Sequence, residues 1–296
     1  MSLSYAFVKV RRHLLLNIIL LTMGGIEFED SPRDTSSGYP ILHDESNPVR
    51  FELFRRWLKT CDEGHRCSPK SRQLPTRVLD VSDPNLIRLH VTTPGEKGKY
   101  VTLSHRWSDT NFSTYPCNLA ARQTGIDFEN LPKRFQDAVT VTRELGIQFL
   151  WIDSICIIQR HQNRTTECSQ PNECPVSNDW DGECGKMEEY FSSAYCTLAA
   201  ISAINRRGDK EDRGFLKRWL HAHWLKVPDG TQCMNHGFDA IDNFQRDVEE
   251  AELNTRGWVL QERALSRRTI HFTSTQAYWE CGYEGIHCET LAKLRK

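Results

Sequence analysis

From residue 100 onward, the sequence alternates β-rich runs with helical patterns, and this alternation limits the folds available to the chain. Tyr100–Ser104 (YVTLS) is a β-rich run. Pro132–Leu145 predicts a helix, because it has proline in its first turn, an apolar face, and Gly146 as its stop. Ile147–Ile158 (IQFLWIDSICII) is apolar nearly throughout, which predicts a strand covered on both faces. We therefore expect an α/β fold with a central, mostly parallel sheet flanked by helices.

Composition divides the 296 residues into four segments. Residues 1–25 form an apolar N-terminal segment, and residues 26–98 form a lead-in with a short helix and a Cys/His segment. We expect the main domain at residues 99–281 and a C-terminal tail at residues 282–296. The helix of the lead-in is predicted from one apolar stripe, formed by Phe51, Phe54, Trp57 and Leu58.

The N-terminal segment has features of a secretory signal peptide. Three basic residues precede an apolar stretch, Leu14–Met23, which ends at Gly24-Gly25. This stretch is about half the ~20 residues that a membrane-spanning helix needs, so we expect no stable membrane insertion. The alternatives are an amphipathic or buried opening helix of a cytoplasmic protein, an unusual translation start, or the leader of a secreted, disulfide-bonded protein.

The eleven cysteines favour the cytoplasmic alternative. Their number is odd, and Cys156 and Cys196 lie inside apolar runs, as buried reduced thiols do. Cys61, His65 and Cys67 are residue types that bind metals, but zinc normally takes four ligands in tighter pairs, and no second pair follows. We therefore predict no metal site.

The charge balance argues against a nucleic-acid partner. The chain has 38 basic and 39 acidic residues, a formal charge of −1, which gives no footprint for nucleic acid. The sequence also has no Gly-rich phosphate loop, no Gly-x-Ser-x-Gly and no His-Glu-x-x-His. Kinases, P-loop NTPases, α/β-hydrolases and zincins are therefore poor candidates.

Three ordered blocks resemble the signature blocks of the fungal heterokaryon-incompatibility (HET) domain. They are Tyr100–Thr110 (YVTLSHRWSDT), Phe135–Gln159 (ending LWIDSICIIQ), and Arg256–Ser266 (RGWVLQERALS) followed by Trp279-Glu280-Cys281. The resemblance implies a cytoplasmic module of vegetative incompatibility, in which self/non-self recognition triggers programmed cell death. It also implies self-association, or partners among other incompatibility proteins of the HET or NLR type.

The first block also resembles the opening strand and loop of TIR domains. Trp258 and Glu262 are four residues apart and share a helix face, like the Trp-x-x-x-Glu pair that TIR enzymes place beside their nicotinamide-dinucleotide pocket. This resemblance implies a TIR-like or flavodoxin-like core with insertions. No cofactor is specified, and NAD becomes the candidate substrate.

The implied site has Glu262 as its catalytic residue. A carboxylate near the ribose stabilises the oxocarbenium-like charge that develops when the nicotinamide–ribose bond breaks. Arg106 would hold the diphosphate, since ligands of open α/β sheets bind beyond the carboxyl ends of the strands. The full ligand-binding set comprises Ser104, Arg106, Trp107, Asp109, Asp153 and Trp258.

These residues have structural alternatives. Arg106 and Asp109 could pair with each other, and Trp107 and Trp258 could belong to the core. Glu262 could instead pair with a nearby arginine, namely Arg256, Arg263 or Arg268.

Asp153 interrupts an apolar run, and a buried carboxylate needs a partner. A partner at the same sheet edge, such as Arg106, Ser104 or His105, would make it part of the site, whereas a helix cap would make it scaffold. For the whole protein, the alternative to an NAD-consuming enzyme is a non-catalytic signalling adaptor that acts by domain self-association.

Overall fold

The computed structural model describes most of one compact unit, which spans residues 41–289. The described residues are 48–64, 67, 72–107, 112–160, 177–203, 214–217, 223–226, 232–235, 244–255, 257–283 and 285–289. The predicted N-terminal segment, residues 1–25, lies outside them. Within the described ranges, no helix combines the length and the apolar character needed to cross a membrane.

Nine of the described strands form one sheet. In chain order, the strands are β1 (Arg72–Gln73), β2 (Arg77–Asp80), β3 (Leu86–Val91), β4 (Lys97–Gly98), β5 (Tyr100–Ser104), β6 (Ile126–Asp127), β7 (Phe149–Trp151), β8 (Cys196–Ala199), β9 (His223–Lys226), β10 (Gln232–Asn235), β11 (Arg268–Phe272), β12 (Ala277–Cys281) and β13 (Gly285–Cys288). The order across the sheet is β13-β12-β11-β8-β5-β7-β2-β3-β6, and β1 with β4 and β9 with β10 form separate ribbons.

The sheet is mixed, so the α/β class is confirmed but the prediction of a mostly parallel sheet is wrong. The parallel pairs are the three in the middle: β11 with β8, β8 with β5, and β5 with β7. The other five neighbouring pairs are antiparallel. Short turns join β2 to β3, β11 to β12 and β12 to β13, and a short turn can only return the chain antiparallel.

Helices fill several of the longer connections. They are α1 (Pro48–Gly64), α2 (Leu119–Thr124), α3 (Lys133–Glu144), α4 (Asp153–Cys156), α5 (Asp179–Glu183), α6 (Met187–Ser193) and α7 (Gly257–Leu265). A 3-10 segment, Glu252–Thr255, precedes α7. The predicted helix is observed as α3, and Gly146 ends it with φ at 71°, a left-handed conformation that glycine adopts without strain.

The apolar run Ile147–Ile158 is a strand only at β7, so the prediction of one long strand is wrong. The chain turns into α4 at Asp153, where the N–H of Ile157 donates to the carbonyl of Asp153 at 3.0 Å. The carboxylate of Asp153 accepts the N–H of Ser154 at 2.7 Å, as an acidic residue at the first turn of a helix can. Most of the run is buried. An apolar run indicates burial, but it does not distinguish a strand from a helix.

α1 packs its apolar stripe against β11 and β12. The ring of Phe54 lies 5.5 Å from that of Phe272 and 5.5 Å from that of Trp57. Trp57 in turn stacks on Trp279 at 6.3 Å. The predicted helix of the lead-in therefore covers one face of the antiparallel end of the sheet.

Segments on either side of the predicted main domain also enter this sheet. β2 lies between β7 and β3, and both β2 and β3 come from residues before 99. β13, which pairs with β12, comes from residues after 281. One sheet thus contains strands from three of the four predicted segments.

Candidate functional site

Three side chains meet at the carboxyl ends of β5 and β7. Asp153 Oδ2 accepts a hydrogen bond from the indole Nε1–H of Trp107 at 2.7 Å. Asp153 Oδ1 lies 3.7 Å from Nδ1 of His105. We name His105, Trp107 and Asp153 the carboxyl-edge cluster. β5 and β7 are parallel neighbours, so their carboxyl ends share one edge, where open α/β sheets bind ligands.

The carboxyl-edge cluster is held firmly. Asp153 and His105 are 9% and 6% exposed, and the ring of His105 packs edge-on against Phe135 of α3 at 5.1 Å. A buried carboxylate that lost its donors would keep its desolvation penalty without compensation. Asp153 thus has partners of both expected kinds: Trp107 and His105 at the sheet edge, and the N–H of Ser154 in the first turn of α4. The role of the cluster in binding stays a prediction.

Arg106 pairs with Glu252, which opens the 3-10 segment before α7. The two side chains are 45% and 60% exposed, so the pair contributes little to stability. It does bring the loop after β5 next to the segment that leads into α7. The predicted alternative partner, Asp109, lies outside the described residues.

Glu262 lies near the end of α7 and is 8% exposed. Its backbone carbonyl accepts the hydroxyl of Ser266 at 2.6 Å. That hydroxyl also contacts the hydroxyl of Thr197, which contacts that of Thr102, both at 2.7 Å. This chain of hydroxyls, two of them buried and that of Ser266 half-buried, joins the end of α7 to the parallel strands β8 and β5.

Val259, on the helix face that carries Glu262, packs near the carboxyl edge. Val259 is three residues before Glu262 and shares its face, and it belongs to a buried cluster with Ala199 and Ile201. Ala199 ends β8 and is paired with Ser104, the last residue of β5. Glu262 follows Val259 by about one helical turn, in the direction of Ser266, which contacts Thr197 two residues before the end of β8.

Two of the arginines that were alternative partners of Glu262 bind other carboxylates. Arg263 donates two hydrogen bonds to Glu280, both at 2.9 Å. Arg268 donates to Asp62 at 2.6 Å.

The remaining predicted residues divide into two groups. Ser104 is buried in the sheet, and its carbonyl accepts the N–H of Ala200 at 3.0 Å. Trp258 belongs to α7, but its side chain is outside the described part of the chain, as are Asp109 and Arg256. Of the ligand-binding set, Trp107 and Asp153 contact each other, and Arg106 pairs with Glu252.

A buried ionic network on β11 and β12 was not predicted from the sequence. Glu280 contacts Nε2 of His271 at 2.8 Å in addition to Arg263. Burial raises the pKa of Glu280, but the hydrogen bonds from His271 and Arg263 outweigh it and hold this pKa at about 2. Burial lowers the pKa of His271 below its ordinary value, so its ring is neutral near pH 7. The network ties α7 to β12.

A group of metal-binding residue types lies elsewhere in the fold. The sulfur atoms of Cys61, Cys67 and Cys281 all lie within 4.8 Å of one another. Cys281 is paired with Arg268, the first residue of β11, so this group is at the opposite end of that strand from the carboxyl edge. The sequence grouped Cys61 with Cys67 but missed Cys281, which is 214 residues from Cys67.

Together these features define an α/β domain with a polar cluster at the carboxyl ends of its parallel strands and a buried carboxylate on the helix beside them. The family model for heterokaryon incompatibility protein (HET) matches residues 100–262, more than half of the 296 residues. The chain belongs to the heterokaryon incompatibility family. The matched region begins at the first residue of β5 and ends at Glu262. No curated protein and no solved structure gave a match.

Proposed function

We propose that this HET-domain protein acts in fungal heterokaryon incompatibility by hydrolysing NAD at the carboxyl edge, and that the loss of NAD causes cell death. Membership of the family supports the incompatibility role. The resemblance of two sequence blocks to TIR domains supports NAD as the substrate. The observation that carries the enzymatic proposal is the burial of Glu262 on α7, about one helical turn after Val259, which packs with Ala199 at the end of β8.

The proposed reaction places charge where Glu262 can stabilise it. The bond between nicotinamide and the ribose breaks, nicotinamide leaves with the bonding electron pair, and positive charge develops on the ribose. Water then forms the new bond to that carbon and loses a proton, which gives ADP-ribose. A carboxylate in a water-poor site stabilises this positive charge strongly, because little solvent screens it.

The other residues take supporting roles in the proposal. Asp153 is occupied by Trp107 and by the N–H of Ser154, so it positions the indole at the sheet edge and is not the reacting carboxylate. Arg106 binds the diphosphate. Its pair with Glu252 is exposed, and a group with two negative charges can displace a single exposed carboxylate.

The test is nicotinamide release from NAD by the purified protein, concentrated or artificially clustered. We expect turnover by the wild type and a rate at least about tenfold lower for Glu262→Gln, which keeps the shape of the side chain but loses its charge. Glu188→Gln removes an exposed carboxylate on α6 and serves as the matched control with wild-type turnover. Equal rates for wild type and Glu262→Gln would remove Glu262 from the mechanism.

The alternative is a non-catalytic adaptor that acts by self-association. It is favoured by β13, which has β12 as its single neighbour among the described strands and thus offers an edge for pairing. Tyr283, in the turn before β13, is 72% exposed. Absence of NAD turnover in every assembled state, together with full cell killing by Glu262→Ala, would decide for the adaptor.

A further inference from the structure

Three cysteines from distant parts of the chain meet where α1 ends against β12. Cys61 lies in the last turn of α1, Cys67 follows that helix, and Cys281 is the last residue of β12. The sulfur of Cys281 lies 3.4 Å from that of Cys67 and 3.6 Å from that of Cys61. The arrangement joins residues separated by 214 and 220 positions in the sequence.

These separations suit thiolates that share one metal ion. In a tetrahedral zinc site with Zn–S bonds of about 2.3 Å, neighbouring sulfurs are about 3.8 Å apart. The observed 3.4 and 3.6 Å are within a few tenths of an ångström of that value. A disulfide has a much shorter bond of about 2.05 Å and joins two cysteines, so it would leave the third sulfur of this group unused.

Other buried cysteines of the chain have different surroundings. The thiol of Cys196 contacts the carbonyl of Thr197 at 3.5 Å, and the sulfur of Cys156 accepts the N–H of Ile152 at 3.5 Å. These are contacts of single thiols with the backbone, as expected for small core residues. Among the cysteines that the structure describes, a grouping of three sulfurs is found at the end of α1.

The surroundings also suit a site with net negative charge. Three thiolates around one divalent ion carry a net charge of about −1. Arg268, which also pairs with Asp62, is almost fully buried and is close enough to Cys61 and Cys67 for its positive charge to act on them. Cys61 and Cys281 are buried, whereas Cys67 is partly exposed and gives an ion a route from solvent.

We propose that Cys61, Cys67 and Cys281 bind one divalent metal ion of the zinc class as thiolates, and that the ion fastens the end of α1 to β12. Binding replaces the three thiol protons, which pass to solvent. The role is structural, because the sulfurs lie at the opposite end of β11 from the carboxyl-edge cluster. The proposal rests on these three thiols alone. His65 lies outside the described residues.

The test is the metal content and metal affinity of the full-length protein. Protein purified under reducing conditions is expected to contain about one zinc ion per chain. After removal of zinc, addition of Co²⁺ should produce thiolate-to-cobalt charge-transfer absorption, and Zn²⁺ should abolish it by displacement. Zinc removal should also lower the midpoint of thermal unfolding, and added zinc should restore it.

A matched pair of variants separates metal binding from packing. Cys281→Ser should lower zinc content at least about tenfold, while Cys196→Ser, which buries a hydroxyl at an equally buried position, should retain it. Three results would overturn the proposal: folded, reduced wild type that binds neither Zn²⁺ nor Co²⁺, full zinc content in Cys281→Ser, or a disulfide between two of these cysteines in freshly isolated protein.

Discussion

Asp153 illustrates how far a single residue can be interpreted from sequence. A carboxylate in an apolar run must have a buried partner, and the candidates were the polar residues at the same sheet edge or a helix cap. His105 was among them, and the indole of Trp107 completes the cluster. The partner of Arg106 could not be predicted in this way, because Glu252 is 146 residues away in the sequence and no local sequence pattern indicates the pair.

The network around Asp153 leads to a prediction about stability. Asp153→Asn should lower the free energy of unfolding by about 1–3 kcal/mol. The carboxylate accepts hydrogen bonds from Trp107 and Ser154 with its two oxygens, whereas an amide has one oxygen acceptor. Urea unfolding at pH 7 measures this change. Asp127→Asn, at an exposed position, is the control and should stay within about 0.5 kcal/mol of wild type. A similarly small effect of Asp153→Asn would mean that the cluster does not hold the sheet edge.

For secondary-structure elements, prediction from the sequence was correct where one local rule determines the structure. β5 and α3 follow from a β-rich run and from an apolar face closed by Gly146. The prediction of a strand over Ile147–Ile158 was wrong because a run that is apolar nearly throughout lacks the periodicity that distinguishes a strand from a helix. The antiparallel strands at both sides of the sheet could not be predicted as sheet neighbours of β7 and β11, because pairing depends on contacts that no single segment contains.

Glu183 fastens two helical elements to the loop before β2. Its carboxylate accepts the hydroxyl of Thr76 at 2.9 Å, the ammonium of Lys186 at 2.8 Å and the hydroxyl of Tyr190 at 2.7 Å. Burial raises the pKa of Glu183, but these hydrogen bonds outweigh it and bring the pKa below its usual 4.5. The side chain is therefore ionised in the folded protein at neutral pH.

This pKa predicts a pH dependence of stability. A carboxylate whose pKa is lowered by folding stabilises the protein above its unfolded pKa, and the contribution is lost as pH falls through the folded pKa. Glu183→Gln should cost about 1–3 kcal/mol at pH 7, and its difference from wild type should shrink below about pH 4.5. Urea unfolding of both proteins across this range is the measurement. Glu189→Gln, an exposed neighbour, should show neither effect, and a cost of Glu183→Gln that is the same at every pH would contradict the ionic role.

At the scale of the whole molecule, the family match is shorter than the folded unit. The match covers residues 100–262, whereas the nine-stranded sheet runs from Arg77 in β2 to Cys288 in β13. β2 and β3 pair beyond β7, and α1 covers the face formed by β11 and β12. The part of the chain that carries the family signature thus depends on neighbours that the signature does not include.

The burial energy that α1 contributes indicates that the expected main domain, residues 99–281, does not fold alone. A fragment of residues 99–281 lacks α1, whose buried Phe51, Phe54, Trp57 and Leu58 contribute about 2 kcal/mol each, together about 8 kcal/mol. That sum is comparable with the entire stability of a typical domain, about 5–15 kcal/mol. The fragment also loses β2 and so leaves an edge of β7 unpaired. A fragment of residues 41–289 keeps all of these contacts.

Urea unfolding followed by circular dichroism should therefore separate the two fragments. Residues 41–289 should unfold in one cooperative transition, with a slope set by the surface that unfolding exposes. Residues 99–281 should give no such transition, because their apolar face toward α1 is uncovered and the remaining core falls below the stability threshold. If the shorter fragment unfolds as cooperatively as the longer one, then α1, β2 and β3 are additions to a domain that is complete without them. The predicted boundary at residue 99 would then be a true domain boundary despite the shared sheet.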